Sequence, residues 1–243
     1  MSEPPSTSMI EQLREKWREI PATRQERQFS TDLLTLSNEA LLEYWEECRR
    51  QTCTPEVRGW YQDLYRDRFR GKRLADVGPG VGLDGIWFAQ HGADVTFVDI
   101  VPDNLTLLRR LCELKGVSAD YYYVDDFFHY EFAEPFDVFL CVGSLINAPF
   151  DFTRRQVEAL MAHVRVGGTV LMLGYPKQRF DALGASDGAE FGKMTDGPRT
   201  PWAEWYDDDK VRALFGARFR LEWSRNLGHQ GIEFNWFELT RMA

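Results

Sequence analysis

The stretch Leu74-Ala75-Asp76-Val77-Gly78-Pro79-Gly80-Val81-Gly82 constrains this chain more than any other. A short apolar run ending in three glycines spaced by single residues, with a helix-length segment behind it, is a strand turning sharply into a helix. Glycines are required where the backbone must turn tightly and approach a ligand with no Cβ in the way, and the helix that follows offers unpaired N–H groups to an anionic or polar ligand. The spacing is GxGxG, with Leu83 standing where the dinucleotide fingerprint places its last glycine. Asp76, two residues before the first glycine, also departs from that fingerprint, and together these argue against a nicotinamide cofactor.

The texture after Gly71 extends this first unit. Short apolar runs alternate with helix-length segments: Arg73 to Val77 then Leu83 to His91, Asp94 to Asp99 then Pro102 to Lys115, Asp120 to Val124, Phe136 to Gly143 then Phe152 to Val164, and Thr169 to Tyr175. That rhythm predicts an α/β fold with a doubly wound, mostly parallel sheet of the Rossmann-like kind. Asp207 to Phe215 reads as a short helix, followed by a strand at Phe219 to Trp223, a turn at Asn226 to Gly231 and a final strand at Ile232 to Thr240, which implies an antiparallel last strand. Residues 9–70 read as a helical cap without strands, in which Ser37 caps one helix and Thr54-Pro55 opens another. Residues 1–8 read as a loose tail. Residues 180–206, rich in Gly, Asp, Thr and Pro, read as a structureless lid loop.

Composition limits the partners. At 243 residues with 44% hydrophobic content the chain can bury a core, and no apolar run reaches the length of a membrane helix, so a soluble, membrane-free protein is expected. The formal net charge of −9 disfavours nucleic acid, whose phosphates repel an acidic surface. Four cysteines without a CxxC pair and an N-terminus without a signal pattern point to a reduced, cytoplasmic setting. The four histidines show no HxH or HxxxH spacing, so no metal is expected. Of these, His91, His129 and His163 read as surface or helix-end residues.

Further motifs follow at strand ends. Asp99 closes the second strand, 21 residues after Gly78 (99 − 78), where a carboxylate accepts both hydroxyls of a ribose. Val124-Asp125-Asp126-Phe127-Phe128 follows the third strand, Phe136-Asp137 opens the fourth, which runs into Cys141-Val142-Gly143-Ser144, and Val166-Gly167-Gly168 precedes the fifth. In this order the series resembles the class I S-adenosylmethionine-dependent methyltransferases, over about Gly71 to the C-terminus. The resemblance implies a seven-stranded sheet and the cofactor S-adenosyl-L-methionine, with S-adenosyl-L-homocysteine as product. It places Gly78, Gly80 and Gly82 along the methionine end with Asp76 beneath them, Asp99 on the ribose and Ile100 on adenine. Asp126, or alternatively Asp125, would take the adenine amino group with Phe127 beside it, and Val142 and Gly143 would border the methionine amino group.

A sulfonium methyl is already activated, so alignment supplies most of the acceleration and a base is needed only where the acceptor must lose a proton. Ser144, Asn147, Tyr175 and His229 are candidates at the carboxyl ends of strands, with His229 and Tyr175 in catalytic roles and Ser144 and Asn147 touching substrate. Tyr44 and Trp45 are candidate acceptor-binding aromatics of the cap, and such faces would suit a cationic amine. Asn147-Ala148-Pro149-Phe150 resembles the Asn-Pro-Pro-Tyr/Phe signature of enzymes methylating planar amino groups, but has Ala at its second position and lies further beyond Asp137 than that signature does. It reads as a loop. The expected activity is methyl transfer to an O, N or C nucleophile of a small molecule in specialised metabolism. Its rivals are transfer to a protein or RNA, a non-catalytic cofactor-binding module, and a nicotinamide-dependent oxidoreductase. The oligomeric state is left open.

Overall fold

The computed structural model describes residues 7–21, 27–229 and 232–243. Its main sheet has seven strands, in the order β5-β4-β3-β6-β7-β9-β8. These are β3 (Arg73–Val77), β4 (Asp94–Asp99), β5 (Asp120–Tyr123), β6 (Phe136–Val142), β7 (Val164–Gly174), β8 (Phe219–His229) and β9 (Ile232–Arg241). The α/β class and the antiparallel last strand are as the sequence implies: β3–β4, β4–β5 and β6–β7 pair in parallel, whereas β9 runs antiparallel to both β7 and β8. The chain divides into two compact units, Trp17–Asp125 and Met1–Lys16 with Asp126–Ala243.

In the first unit, β3 and β4 are buried over nearly their whole length, and their Leu74, Ala75, Val95 and Phe97 are inaccessible to solvent. Strands buried on both faces read as continuous apolar runs, which is why the alternation of strands and helices was visible in the sequence. Helix α5 (Leu83–Gln90) follows β3, and α6 (Pro102–Lys115) follows β4 with its proline at the first turn, where a missing N–H costs nothing. Helix α3 (Asn38–Thr52) begins at Ser37, whose hydroxyl accepts the Ala40 N–H as expected.

Three local readings are corrected here. Residues 9–70 are not strand-free, because β1 (Glu19–Pro21) and β2 (Arg27–Phe29) pair antiparallel, followed by the short α2 (Ser30–Leu34). Three-residue strands carry too few side chains for a period to show. Thr54-Pro55 does not open a helix: Val57 and Gly59 donate their N–H groups to the Thr54 carbonyl in a tight turn, and α4 starts only at Gly59 and runs to Tyr65. A Cβ at Gly59 would lie 2.8 Å from the Cys53 carbonyl oxygen, so only glycine permits this close return. The tail expected over 1–8 lies largely outside the described residues, and Thr7 and Ser8 already belong to α1 (Thr7–Lys16).

In the second unit, β6 and β7 bury Phe139, Leu140, Cys141 and Val170 to Met172, β9 adds Trp236 and Phe237, and α7 (Phe150–Met161) lies between β6 and β7 in the chain. Residues 180–206 are not a structureless loop. They contain most of α8 (Lys177–Leu183) and all of α9 (Gly188–Asp196). Helix α9 is set by a cap rather than by periodicity: Asp187 accepts the Glu190 N–H, and Glu190 reaches back to the Ser186 N–H and hydroxyl. Helix α10 (Asp208–Phe215) is capped the same way by Asp207. Strand β8 continues through the segment expected as a turn from Asn226, pairing as far as His229 with Ile232. No described helix is long and apolar enough to cross a membrane.

Candidate functional site

The glycine turn lies entirely in the first unit. Gly78, Gly80 and Gly82 all have positive φ, and Gly82 at +71° is the residue from which α5 departs. A Cβ on Gly80 would meet Ile20 at 3.5 Å, an ordinary van der Waals contact, so it is the φ of +59° that favours glycine here. Gly82 is constrained from behind, since a Cβ there would sit 2.6 Å from Leu108.

Two buried carboxylates set the turn. Asp76 accepts the Gly85 N–H at 3.0 Å, tying the end of β3 to the first turn of α5. Gly85 permits this approach, because a Cβ would lie 2.3 Å from Phe97 and 2.7 Å from the Asp76 carboxylate. Burial, with the neighbouring Asp84 charge, raises the Asp76 carboxyl well above the usual range. Asp84 was not singled out in the sequence. It is 4% exposed, accepts the Tyr61 hydroxyl at 2.9 Å and the Gln62 amide at 2.8 Å, and pairs with the Arg58 guanidinium. An acid in the first turn of a helix reads in sequence as a solvated partner of the helix dipole. Its burial depends on Tyr61 and Gln62 of α4, 23 and 22 residues away in the chain.

Trp45 is corrected from acceptor binding to support of this turn. It is 1% exposed, its indole N–H donates to the Val81 carbonyl at 3.0 Å, and the Lys115 ammonium lies 4.5 Å from its ring centre. No face of it remains for an acceptor. Tyr44 is half-buried on the same helix, with its hydroxyl at the Cys48 thiol, so it too packs within α3.

Asp99 stands at the end of β4, 4% exposed. One oxygen accepts the Val101 N–H at 2.8 Å, and the Asn104 amide reaches both oxygens at 3.3 Å. Burial pushes its carboxyl up to about 6, opposed by these hydrogen bonds. The Asn104 side-chain oxygen is buried without a donor. A buried carboxylate with weakly filled lone pairs beside an orphaned amide oxygen lacks hydrogen-bond donors, and the vicinal hydroxyls of a ribose are such donors. The residues present therefore fit an adenosine-type cofactor. Ile100 follows, half-buried, and Asp125 is exposed.

The second unit holds the remaining candidates. Asp126 is exposed and accepts the Phe128 N–H at 2.8 Å, capping its own turn. Phe127 is corrected from an adenine-flanking ring to a core residue: it is 3% exposed and packs edge-on against Phe152 at 5.7 Å. Phe128, not Phe127, is the partly exposed ring at this position. Val142 and Gly143 close β6 half-buried, with Gly143 at φ +74°, and the Ser144 hydroxyl beyond them is buried without a partner.

Asn147 and Tyr175 are brought together by a residue that sequence reasoning missed. Asp196, at the end of α9, accepts the Tyr175 hydroxyl on one oxygen at 3.0 Å and the Asn147 amide on the other at 3.1 Å. The Lys16 ammonium, 1% exposed, donates to the Asp196 main-chain carbonyl at 2.6 Å, a cation at a helix C-terminus. Burial and the Asp196 charge raise the Tyr175 phenol above its ordinary value, so it stays protonated and does not act as a base alone. Asn147 is no element of an amino-methylating signature here: its amide also donates to the Trp202 carbonyl, fixing the loop. The His229 side chain lies outside the described residues. His91 Nδ1 donates to the Trp87 carbonyl, and His129 Nε2 donates to the Glu131 carboxylate at the surface. Among the described residues no three His, Cys, Asp or Glu side chains are grouped to hold a metal ion.

Comparison with known proteins agrees with this geometry. Residues 74–168 match the family described as a methyltransferase domain. The ubiquinone biosynthesis O-methyltransferase of Bordetella avium is 32% identical over 133 residues, covering 54% of this chain and 54% of that protein. The chain thus spans about half the length of this curated relative. Among solved structures, magnesium protoporphyrin IX methyltransferase from Synechocystis PCC 6803 with bound S-adenosyl-homocysteine superposes with a TM-score of 0.61 at 15% identity, covering 97% of this chain and 95% of that one. The cyclase SpnF superposes at 0.59 with 14% identity over 77% of this chain and 82% of its own, so the likeness carries fold and not reaction. In its fold, and over residues 74–168 in its sequence, the chain is similar to S-adenosylmethionine-dependent methyltransferases.

Proposed function

We propose that the protein binds S-adenosyl-L-methionine and transfers its methyl group to an O, N or C nucleophile of a small molecule in specialised metabolism. The observation that carries this reading is the pairing of a positive-φ glycine turn with a buried Asp99 carboxylate at the ends of adjacent parallel strands. In open α/β sheets ligands sit beyond the carboxyl ends of the strands. When bound, the cofactor supplies an activated methyl, and the protein has to hold and orient. Asp99 accepts the ribose hydroxyls, Ile100 lies under the base, and Gly78, Gly80 and Gly82 leave room for the methionine end. Asp126 is the assigned partner of the adenine amino group. Handling of the acceptor is assigned to the Asn147, Tyr175 and Asp196 cluster. Tyr175 is a relay there: its oxygen accepts a proton from the acceptor as its own proton passes to Asp196 Oδ1.

The net charge of −9 supports a small acceptor over nucleic acid. The reading is tested by calorimetry against S-adenosylmethionine and NAD in parallel, then by incubating protein and S-adenosylmethionine with metabolite extracts. Binding of the first cofactor alone and a protein-dependent mass gain of one methylene are expected. Absence of cofactor heat overturns the reading.

Asp99 also gives a pH dependence. Its folded value of about 6 lies above the ordinary 3.8, so it favours the folded state at low pH and loses that contribution as pH rises through 6. The ribose hydroxyls donate best to the ionised form. Affinity for S-adenosylhomocysteine is therefore expected to be level above about pH 7 and to fall as pH drops through 6. The measurement is the ligand-induced rise in melting temperature, which should be smaller at pH 5 than at pH 7.5 (both buffers about one unit or more from the titrating group). An equal rise at both would show that Asp99 does not titrate against the ligand.

A further inference from the structure

Arg179, on α8, sits over the Tyr175 ring with its guanidinium carbon 4.9 Å from the ring centre, and 6.0 Å from that of Phe234. Those two rings stack at 5.4 Å and 25°, and Phe191 meets Tyr175 edge-on at 5.5 Å, so Tyr175 is buried beneath the guanidinium. The Arg179 Nη1 atom is buried and has no hydrogen-bond acceptor. Neighbouring cations of the same unit are satisfied: Lys177 pairs with Asp181 at 2.7 Å and Lys210 with Glu204 at 2.5 Å. The acid in the cluster, Asp196, accepts Tyr175 on one oxygen and Asn147 and Thr195 on the other, and Arg179 Nη1 is bonded to neither. A buried cationic N–H without an acceptor is costly, and a guanidinium stacked on aromatic rings presents its fork in a fixed plane that matches a carboxylate.

A second observation points to a ligand at the same cluster. The Asn147 side-chain oxygen and the Thr200 hydroxyl are buried without partners, although Asn147 is 3% and Thr200 1% exposed. Asn147 and Tyr175 share the Asp196 carboxylate, so the orphaned Asn147 oxygen lies in the same cluster and marks a place for a polar guest.

We propose that Arg179 recognises a carboxylate on the methyl acceptor. This rests on the assignment of an acceptor site to the Tyr175 cluster. The shared chemistry is a carboxylate, and the cofactor's own amino-acid moiety is the other possible source of one. The full chain is titrated by calorimetry with S-adenosylhomocysteine, then with benzoate and with the uncharged isostere benzamide, each with and without S-adenosylhomocysteine. Benzoate is expected to bind at least about tenfold more tightly than benzamide, the scale of one charge-assisted hydrogen bond. Arg179→Gln should erase that difference and leave benzamide and S-adenosylhomocysteine affinities unchanged, while Arg179→Lys restores part of it. A denaturation midpoint for each variant confirms that it is folded. Absence of benzoate binding, equal binding of the two probes, or an Arg179→Gln variant that binds benzoate as before overturns the proposal. So does loss of S-adenosylhomocysteine affinity with benzoate unchanged, which would give the carboxylate to the cofactor. If S-adenosylhomocysteine fails to bind yet benzoate binding depends on Arg179, the methyltransferase reading fails and the carboxylate site stands.

Discussion

Asp99→Ala will weaken S-adenosylmethionine binding about a hundredfold, the loss of two hydrogen bonds to a charged acceptor at roughly 1.5 kcal/mol each. The same carboxylate accepts the Val101 N–H at the start of α6, so alanine also strands a buried donor and lowers stability. Asp99→Asn separates the two effects. The amide keeps an oxygen for Val101 and removes the charge, so its denaturation midpoint should stay near that of the unaltered protein while affinity falls about tenfold, by one such bond. Calorimetric titration of both variants beside chemical denaturation is the measurement. An Asp99→Ala protein that binds the cofactor normally would remove the ribose assignment and with it the main support for the proposed function.

The second large effect is on stability. Asp84→Ala should cost about 3–5 kcal/mol, because it leaves the Arg58 charge unpaired and the Tyr61 hydroxyl and Gln62 amide without their acceptor. That is a large part of the 5–15 kcal/mol typical of a domain. Urea denaturation followed by tryptophan fluorescence reads it out. Replacing the pair together, as Arg58→Met with Asp84→Leu, should cost less than Asp84→Ala alone, since no charge is then left behind. If the double replacement costs the sum of the two singles, the residues do not act as a pair. Cofactor affinity should fall with Asp84→Ala as well, because Asp84 and Asp76 together fix the first turn of α5 behind the glycines.

The parallel sheet was legible because its strands are buried on both faces and so carry mostly apolar runs, as Leu74 to Val77 and Val95 to Val98 do, interrupted only by Asp76 and Thr96. The glycine turn and Asp99 were legible for a related reason: a positive φ and a buried acid at a strand tip demand particular residue types. What stayed hidden depends on partners far along the chain. Nothing near Lys16 announces that its ammonium will meet the carbonyl of Asp196, 180 residues away. Trp45 has the composition of a binding aromatic, and only the place of Val81 makes it a strut. Helix α9 was hidden by Gly188 and Gly192, which look like loop glycines. They are required by close packing, because a Cβ on Gly188 would lie 2.1 Å from Trp202 and one on Gly192 2.7 Å from the Trp202 backbone.

The place of β9 has a consequence for synthesis. It follows β8 in the chain but lies between β7 and β8 in the sheet. A chain leaving the ribosome therefore exposes β7 with an open edge, and β8 emerges with nothing to pair against, until Ile232–Arg241 arrives and is inserted between them. Half of the sheet's second unit thus closes only after translation has passed Trp236 and Phe237, and until then β7 presents an unpaired, apolar edge on which a nascent chain is open to chaperones and to aggregation.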